Sequence, residues 1–293
     1  MPSFSFDPIA HRYDATRGYP GDIAQQITRR LDQLIGAGPQ TAFLELGIGT
    51  GRIAFPLASL GRNYTGVDIS TKMLDVLVEK LREQDWQADQ QPWGSLPDET
   101  VERHGEVRRF THAEPQASMR LVVSDITQLP FQDASFDVVI AVHVLHLVEG
   151  WQQAVRETVR VLRPGGLMLN CWDEFGKTDV REISEQWRAI VESSGVSVSR
   201  PGAASNQQVV ELLQSLGLQT QRVRLLQWEQ TATPRAAIER IVKREWSGTW
   251  TIPDDIFAAS AERLWQWAND YYGAEIDAER QVERSFMVSK TQV

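Results

Sequence analysis

Apolar residues recur along the first half of this chain in two alternating patterns. Ile23, Ile27, Leu31, Leu34 and Ile35 fall on one face at helical spacing and predict a helix over 22–35, ended by Gly36-Ala37-Gly38-Pro39. A short apolar run over 41–46 predicts a strand, and residues 52–60 predict a helix interrupted near Pro56. A second strand over 64–69 ends in Asp68-Ile69. Ser70 then suits the N-cap of a helix whose apolar face is Met73, Leu74, Leu77, Val78 and Leu81. Residues 120–124 predict a third strand. The near-continuous apolar run 136–142 suits the middle of a parallel sheet. A helix over 151–162, a sharp turn at Arg163-Pro164-Gly165-Gly166 and a strand over 167–171 complete the series. Five alternations of strand and helix predict an α/β protein with a doubly wound parallel sheet.

Two regions break that rhythm. Residues 85–119 are rich in Gln, Asp and Glu, carry prolines at 92, 97 and 115, and hold no period; they read as a polar surface insertion. His104 and His112 within it lack carboxylates at regular spacing and read as solvated. After Cys171 the pattern becomes mainly helical, with helices over 180–191, 207–216, 233–246 and 253–272 and strands over 220–228 and 281–290. The expected division is therefore an N-terminal segment and first helix (1–40), a sheet core (41–176) and a C-terminal part (177–293). Seven tryptophans fall after Cys171. Most are expected to pack helices, whereas Trp246 and Trp250 flank a turn, where lining a pocket is the competing expectation.

Composition narrows the chemistry. At 293 residues, 42% hydrophobic, the chain suits one large α/β domain, alone or with an appendage. A net charge of −9 argues against a broad nucleic-acid-binding face. The single cysteine, Cys171, excludes an intrachain disulfide and a multi-cysteine zinc site, and no metal site is expected. The first ten residues show no basic start and no apolar signal region, and the apolar run Val138–Val148 is too short to span a bilayer. A soluble cytoplasmic protein is the expectation.

Candidate chemistry centres on Glu45-Leu46-Gly47-Ile48-Gly49-Thr50-Gly51. Glycines here would let backbone approach a bound cofactor closely. The dinucleotide fingerprint needs a third glycine where Arg52 stands. Glu45 before the turn would repel a pyrophosphate but suits a cation such as S-adenosylmethionine, which carries a sulfonium and an ammonium. Asp68, 23 residues beyond Glu45, can accept ribose hydroxyls, and Asp125, after the third strand, can accept an adenine amino group. Three acids closing three successive strands make a crevice at the carboxyl edge of the sheet.

These motifs resemble class I S-adenosylmethionine-dependent methyltransferases. The resembling stretches are Glu45 to Gly51, Val67-Asp68-Ile69-Ser70 with Met73, Ser124-Asp125 through Leu129-Pro130-Phe131, Phe136-Asp137-Val138-Val139 and Val161 to Gly166. The chain is most similar to the type 11 group, which includes ubiquinone- and menaquinone-biosynthesis-like enzymes. The resemblance implies a Rossmann-like, seven-stranded, mostly parallel sheet with an antiparallel final strand, and a helical substrate cap over about 234–273. It implies that Glu45, Gly47, Gly49 and Gly51 hold the methionine part and ribose, that Asp68, Ile69 and Met73 hold ribose and adenine, and that Asp125 and Ile126 meet the adenine edge. Val142 and His143 would sit near the sulfonium. Tyr13, Arg17 and Tyr19 would belong to an N-terminal lid, and Tyr19, Trp172, Trp246 and Trp250 to a substrate pocket.

Methyl transfer from a sulfonium is an in-line displacement from an activated donor, so the protein mainly aligns the acceptor and excludes water. A base is needed only where the acceptor must lose a proton, and His143 is the candidate. The expected partner is a small organic or lipophilic methyl acceptor, with S-adenosylhomocysteine as co-product. A nicotinamide-dependent oxidoreductase, a tRNA or protein methyltransferase and a non-catalytic S-adenosylmethionine-binding protein stand as alternatives. Oligomeric state is not legible.

Overall fold

A computed structural model describes residues 6–88, 107–176, 178–198 and 200–293. Asp7–Arg12 forms a 3-10 turn that leads into a one-turn helix, α1 (Tyr13–Arg17). The predicted first helix, α2, spans Gly21–Ile35, buries Ile23, Ile27 and Leu31, and stops at Gly36 in a left-handed conformation (φ 68°). Strand β1 (Ala42–Leu46) leads through the glycine turn to α3 (Ala54–Ala58), which Pro56 keeps to little more than one turn. Strand β2 (Asn63–Asp68) and helix α4 (Thr71–Glu83) follow, and the Ser70 hydroxyl caps α4 by accepting the Met73 N–H at 3.1 Å.

The 85–119 region departs from the expected structureless insertion. Its flanks contain β3 (Gln87–Ala88), β4 (Val107–His112) and the first residues of β5 (Ala117–Val123). Residues 89–106, including His104, lie outside the described residues. Strands β3–β4 and β4–β5 pair antiparallel. Val107 and Phe110 are buried, but Arg108, Arg109, Thr111 and His112 are not, so the apolar pattern of a strand near a sheet edge is diluted by polar side chains.

Strand β6 (Phe136–Val142), helix α5 (Trp151–Val161) and strand β7 (Leu162–Phe175) come next. The expected turn at 163–166 lies inside β7 as an irregularity: Phe136 pairs with Leu162 but Val138 with Leu167, and Gly165 takes φ 83°. Helices α6 (Asp179–Glu192) and α7 (Asn206–Ser215), strand β8 (Thr220–Ala232), helices α8 (Pro234–Val242) and α9 (Asp254–Tyr272) and strand β9 (Arg280–Gln292) complete the chain.

Among the described residues the sheet has nine strands rather than seven, in the order β3-β4-β5-β2-β1-β6-β7-β9-β8. The two extra strands, β3 and β4, come from the stretch whose polarity conceals them. Strands β5, β2, β1, β6 and β7 run parallel, and the strand order reverses between β1 and β6. Ligands of open α/β sheets bind at the carboxyl ends of strands at such a reversal. Register brings the relevant ends level: Leu46 pairs with Val67 and with Ala141, and Asp68 with Val123.

The chain divides into two compact units that interleave in sequence. One comprises 1–172, 201–226 and 286–293; the other comprises 173–200 and 227–285. The first holds a core under the parallel sheet that includes Leu44, Leu46, Val67, Phe131, Val139 and Val155. The second has its own core from α6, α8 and α9, in which Trp187 meets Phe257 edge-on with ring centroids 5.4 Å apart. No helix of the described residues is long and apolar enough to cross a membrane.

Candidate functional site

The turn after β1 depends on backbone angles that side chains resist. Gly47, Gly49 and Gly51 all take positive φ (64°, 55° and 74°). A Cβ on Gly47 would lie 2.6 Å from Val144 Cγ2, and one on Gly51 would lie 2.5 Å from Leu77 Cδ1. The turn is held against β2 by Ile48 N–H to the Val67 carbonyl (3.0 Å) and by Gly49 N–H to Asp68 Oδ2 (2.8 Å). Asp68 Oδ1 accepts the Ser70 N–H at 2.8 Å. One carboxylate thus ties the glycine turn to the start of α4.

Two acids at this edge are shielded from water, Glu45 fully and Asp68 in part. Glu45 is 2% exposed, and its Oε2 accepts the Tyr64 hydroxyl at 2.7 Å. Burial pushes its carboxyl up to about 8, against the opposing pull of the Tyr64 hydrogen bond and the Arg52 charge. Burial also raises Asp68, to about 6, although the Ser70 and Gly49 N–H groups favour its ionised form. Asp125 is exposed, and its Oδ1 accepts both the N–H and the hydroxyl of Thr127 at 2.8 Å.

His143 follows β6 with φ 51°, a left-handed conformation that a residue with a side chain seldom adopts. Its N–H donates to the Cys171 carbonyl at 3.1 Å, which holds the strained residue against β7. Its ring stands edge-on to His146 at 6.5 Å.

The N-terminal segment is fastened to the same loops. Ser70 donates to Asp7, Thr50 donates to Asp14 at 2.7 Å, and Lys80 pairs with Asp14. Arg52 Nη1 donates to the Arg17 carbonyl at 2.6 Å, and the same guanidinium lies 4.5 Å above the Tyr19 ring. Phe6 and Tyr13 meet edge-on at 5.4 Å and both face the crevice.

The crevice encloses about 840 Å³ of non-atom space, part of it open to solvent. Of the residues singled out from sequence, Tyr13, Glu45, Gly47, Gly49, Asp68, Ile69, Met73, Asp125, Ile126, Val142 and His143 line it. Gly51 stands behind the wall against Leu77. Arg17 contributes its carbonyl to Arg52, and Tyr19 packs edge-on against Phe286 at 6.0 Å. Trp172, near the end of β7, has the Arg222 guanidinium 5.6 Å from its ring. Trp246 and Trp250 belong to the second unit: Trp246 packs on that unit's core, and Trp250 Nε1 donates to the Arg244 carbonyl at 2.7 Å. Sequence reasoning did not assign Phe6, Ile48, Thr50, Ile53, Ser124, Val144, Leu147 or Val148 to the crevice, nor give Arg52 a part in its wall. Ile48 and Thr50 lie inside the glycine motif and were within reach; Leu147 and Val148 look like any other core residues.

The donor set fits a cationic, phosphate-free nucleoside. Two carboxyls, the buried Glu45 and the half-buried Asp68, flank the glycine turn, each with a raised pKa that an ammonium or sulfonium would relieve and a pyrophosphate would aggravate. Two family models described as methyltransferase domains match the sequence, one over residues 43–102 and the other over 99–170. Residues 43–170 are thus similar to class I S-adenosylmethionine-dependent methyltransferases of the type 11 group. The chain is 28% identical over 167 residues to a demethylmenaquinone methyltransferase of Streptomyces avermitilis, covering 57% of each chain. It is 32% identical over 148 residues to the 27-O-demethylrifamycin SV methyltransferase of Amycolatopsis mediterranei, covering 49% of this chain and 44% of that one. The chain thus spans about half the length of the curated relatives it matches. In fold it is similar to the YcgJ protein of Bacillus subtilis, with a TM-score of 0.54, 16% identity and coverage of 90% and 97%. Neither the methyltransferase-domain matches nor the acids at this edge favour a nicotinamide cofactor.

Proposed function

We propose that this crevice binds S-adenosylmethionine and that the chain transfers its methyl group to a small organic or lipophilic acceptor. The observation that carries the reading is a pair of acids, the buried Glu45 and the half-buried Asp68, on either side of a turn built from positive-φ glycines. Glu45 would face the amino-acid end of the cofactor and Asp68 the ribose hydroxyls. Ile69 and Met73 would pack against the adenine, whose edge Asp125 and Ile126 would meet. When bound, the cofactor supplies an electrophilic methyl on a neutral leaving group. The chain's part is alignment and exclusion of water. Phe6 and Tyr13, held by the Asp7 and Asp14 contacts, cover the crevice. His143 is the candidate to orient the acceptor or take its proton, and its strained backbone supports that role.

A small or lipophilic acceptor is supported by the relatives named for demethylmenaquinone and 27-O-demethylrifamycin SV, and by the acidic balance of the chain. The test has two stages. Calorimetry should detect binding of S-adenosylmethionine and S-adenosylhomocysteine and none of NAD. Incubation with quinol, phenol and macrolactam acceptors should then yield S-adenosylhomocysteine and a product heavier by one methylene. NAD binding without S-adenosylmethionine binding would overturn the cofactor assignment. Cofactor binding without transfer to any acceptor, tRNA and protein included, would mark a binding protein.

A further inference from the structure

Tyr64 lies one layer behind the crevice and has no part in the reading above. Strand register explains its place. Phe43 pairs with Tyr64 and Glu45 with Gly66, so Tyr64 reaches Glu45 diagonally across the same face of the sheet. The position beside Glu45 is bare because Gly66 has no side chain, and Ile48 fills the gap: a Cβ on Gly66 would lie 2.0 Å from Ile48 Cδ1. The Tyr64 ring is stacked on Phe43 with centroids 5.3 Å apart and planes within 10°. Tyr64 is 1% exposed and Phe43 fully buried. With the ring clamped, the hydroxyl points in one direction, at Glu45 Oε2, 2.7 Å away.

We infer that Tyr64 is a positioning residue: its hydroxyl fixes the orientation of the Glu45 carboxylate and favours its charged form, and so sets affinity for the cationic amino-acid end of the cofactor. The inference rests on the cofactor assignment proposed above. Burial and the neighbouring Glu45 charge raise the Tyr64 phenol well above its ordinary value, so at working pH it stays protonated and can only donate to that carboxylate. The other groups facing this pair are Arg52 from the turn, which favours the charged carboxylate, Asp68 from the end of β2, which opposes it, and Cys171 from β7, which faces the phenol. A buried carboxylate with a single hydroxyl donor depends heavily on that donor, because charge-assisted hydrogen bonds are about twice as strong as neutral ones.

Tyr64→Phe deletes only the hydroxyl and keeps the ring stack. Calorimetry on wild type and variant with S-adenosylmethionine and with adenosine, which lacks the amino-acid end, separates positioning from packing. Tyr64→Phe should bind S-adenosylmethionine roughly ten-fold more weakly at pH 7, the weight of one charge-assisted hydrogen bond. Adenosine affinity should not change. The deficit should shrink as pH rises, because the carboxyl then ionises without help. In a Glu45→Gln background, Tyr64→Phe should add no comparable loss, since no charge is left to hold. Equal losses for both ligands would reduce Tyr64 to a packing residue, and an unchanged or tighter S-adenosylmethionine affinity would overturn the inference outright. A wild-type chain that does not bind S-adenosylmethionine would instead remove the cofactor assignment, and this inference with it.

Discussion

Replacing Glu45 by Gln should make the apoprotein more stable at alkaline pH while weakening its affinity for S-adenosylmethionine. In the folded chain the carboxyl is pushed up to about 8 from an ordinary value of 4.5, with burial as the largest cause. A carboxyl raised in this way contributes stability that is fully present below the unfolded value and is lost as pH rises through the folded one. From pH 6 upward the unfolded chain has already released this proton, whereas the folded chain holds it at pH 6 and has released half of it at pH 8. Stability therefore falls by about 1.4 kcal/mol per pH unit near pH 6 and by about half that near pH 8, or about 2 kcal/mol over the interval. Glutamine keeps the shape and can still accept the Tyr64 hydroxyl, but it does not titrate. Urea denaturation of wild type and Glu45→Gln at pH 6, 7 and 8, monitored by tryptophan fluorescence, should show the variant gaining about 2 kcal/mol on the wild type across the series. The same variant should bind S-adenosylmethionine at least roughly ten-fold more weakly at pH 8, where the wild-type carboxylate is half ionised and can pair with an ammonium. Stability curves that run parallel at all three pH values would refute the claim that Glu45 is a neutral, buried acid awaiting a cation.

Three other substitutions test separate parts of the site. Asp68→Ala should weaken cofactor binding by one to two orders of magnitude, about 1.5–3 kcal/mol for hydrogen bonds to a charged group, and an unchanged Kd in calorimetry would count against the assignment. His143→Asn retains a residue that tolerates the left-handed backbone at this position, so cofactor affinity should stay nearly intact while turnover falls; normal turnover would remove His143 from the chemistry. Gly51→Ala places a Cβ 2.5 Å from Leu77 Cδ1 at φ 74° and should lower stability by about 1–3 kcal/mol. Thermal melts of Gly51→Ala with and without Leu77→Ala should show a non-additive pair, and simple additivity would mean the two side chains do not clash.

Periodicity and local chemistry carried most of the parallel core. The helical spacing that forms α2 and α4, the Ser70 cap and the unbroken apolar run of β6 are written in neighbouring residues, because helix faces and buried strands repeat over short distances. The glycine turn was equally legible, since positive φ leaves few alternatives to glycine. Strand β4 was not: its buried positions, Val107 and Phe110, stand two polar residues apart, and the antiparallel pairing with β5 that makes it a strand is a non-local fact. Trp246 and Trp250 show the reverse case, a conspicuous local composition whose place in the second unit no spacing rule could supply.

The candidate site divides along the same line. The sequence by itself determined that Glu45, Asp68 and Asp125 lie at the ends of three apolar strands beside a glycine turn, and so that a cationic nucleoside suits this edge better than a dinucleotide. Only the tertiary structure decided how those acids are used. Asp68 binds the turn to α4, Asp125 is occupied by Thr127, and Glu45 lines the crevice while Tyr64 holds it from behind. It also decided that Phe6, Tyr13 and Arg52 face the crevice while Tyr19 packs under the Arg52 guanidinium outside it. The physical reason is that hydrogen-bond partners and burial depend on register between strands distant in sequence, whereas residue type at a strand end depends only on the chain's local order.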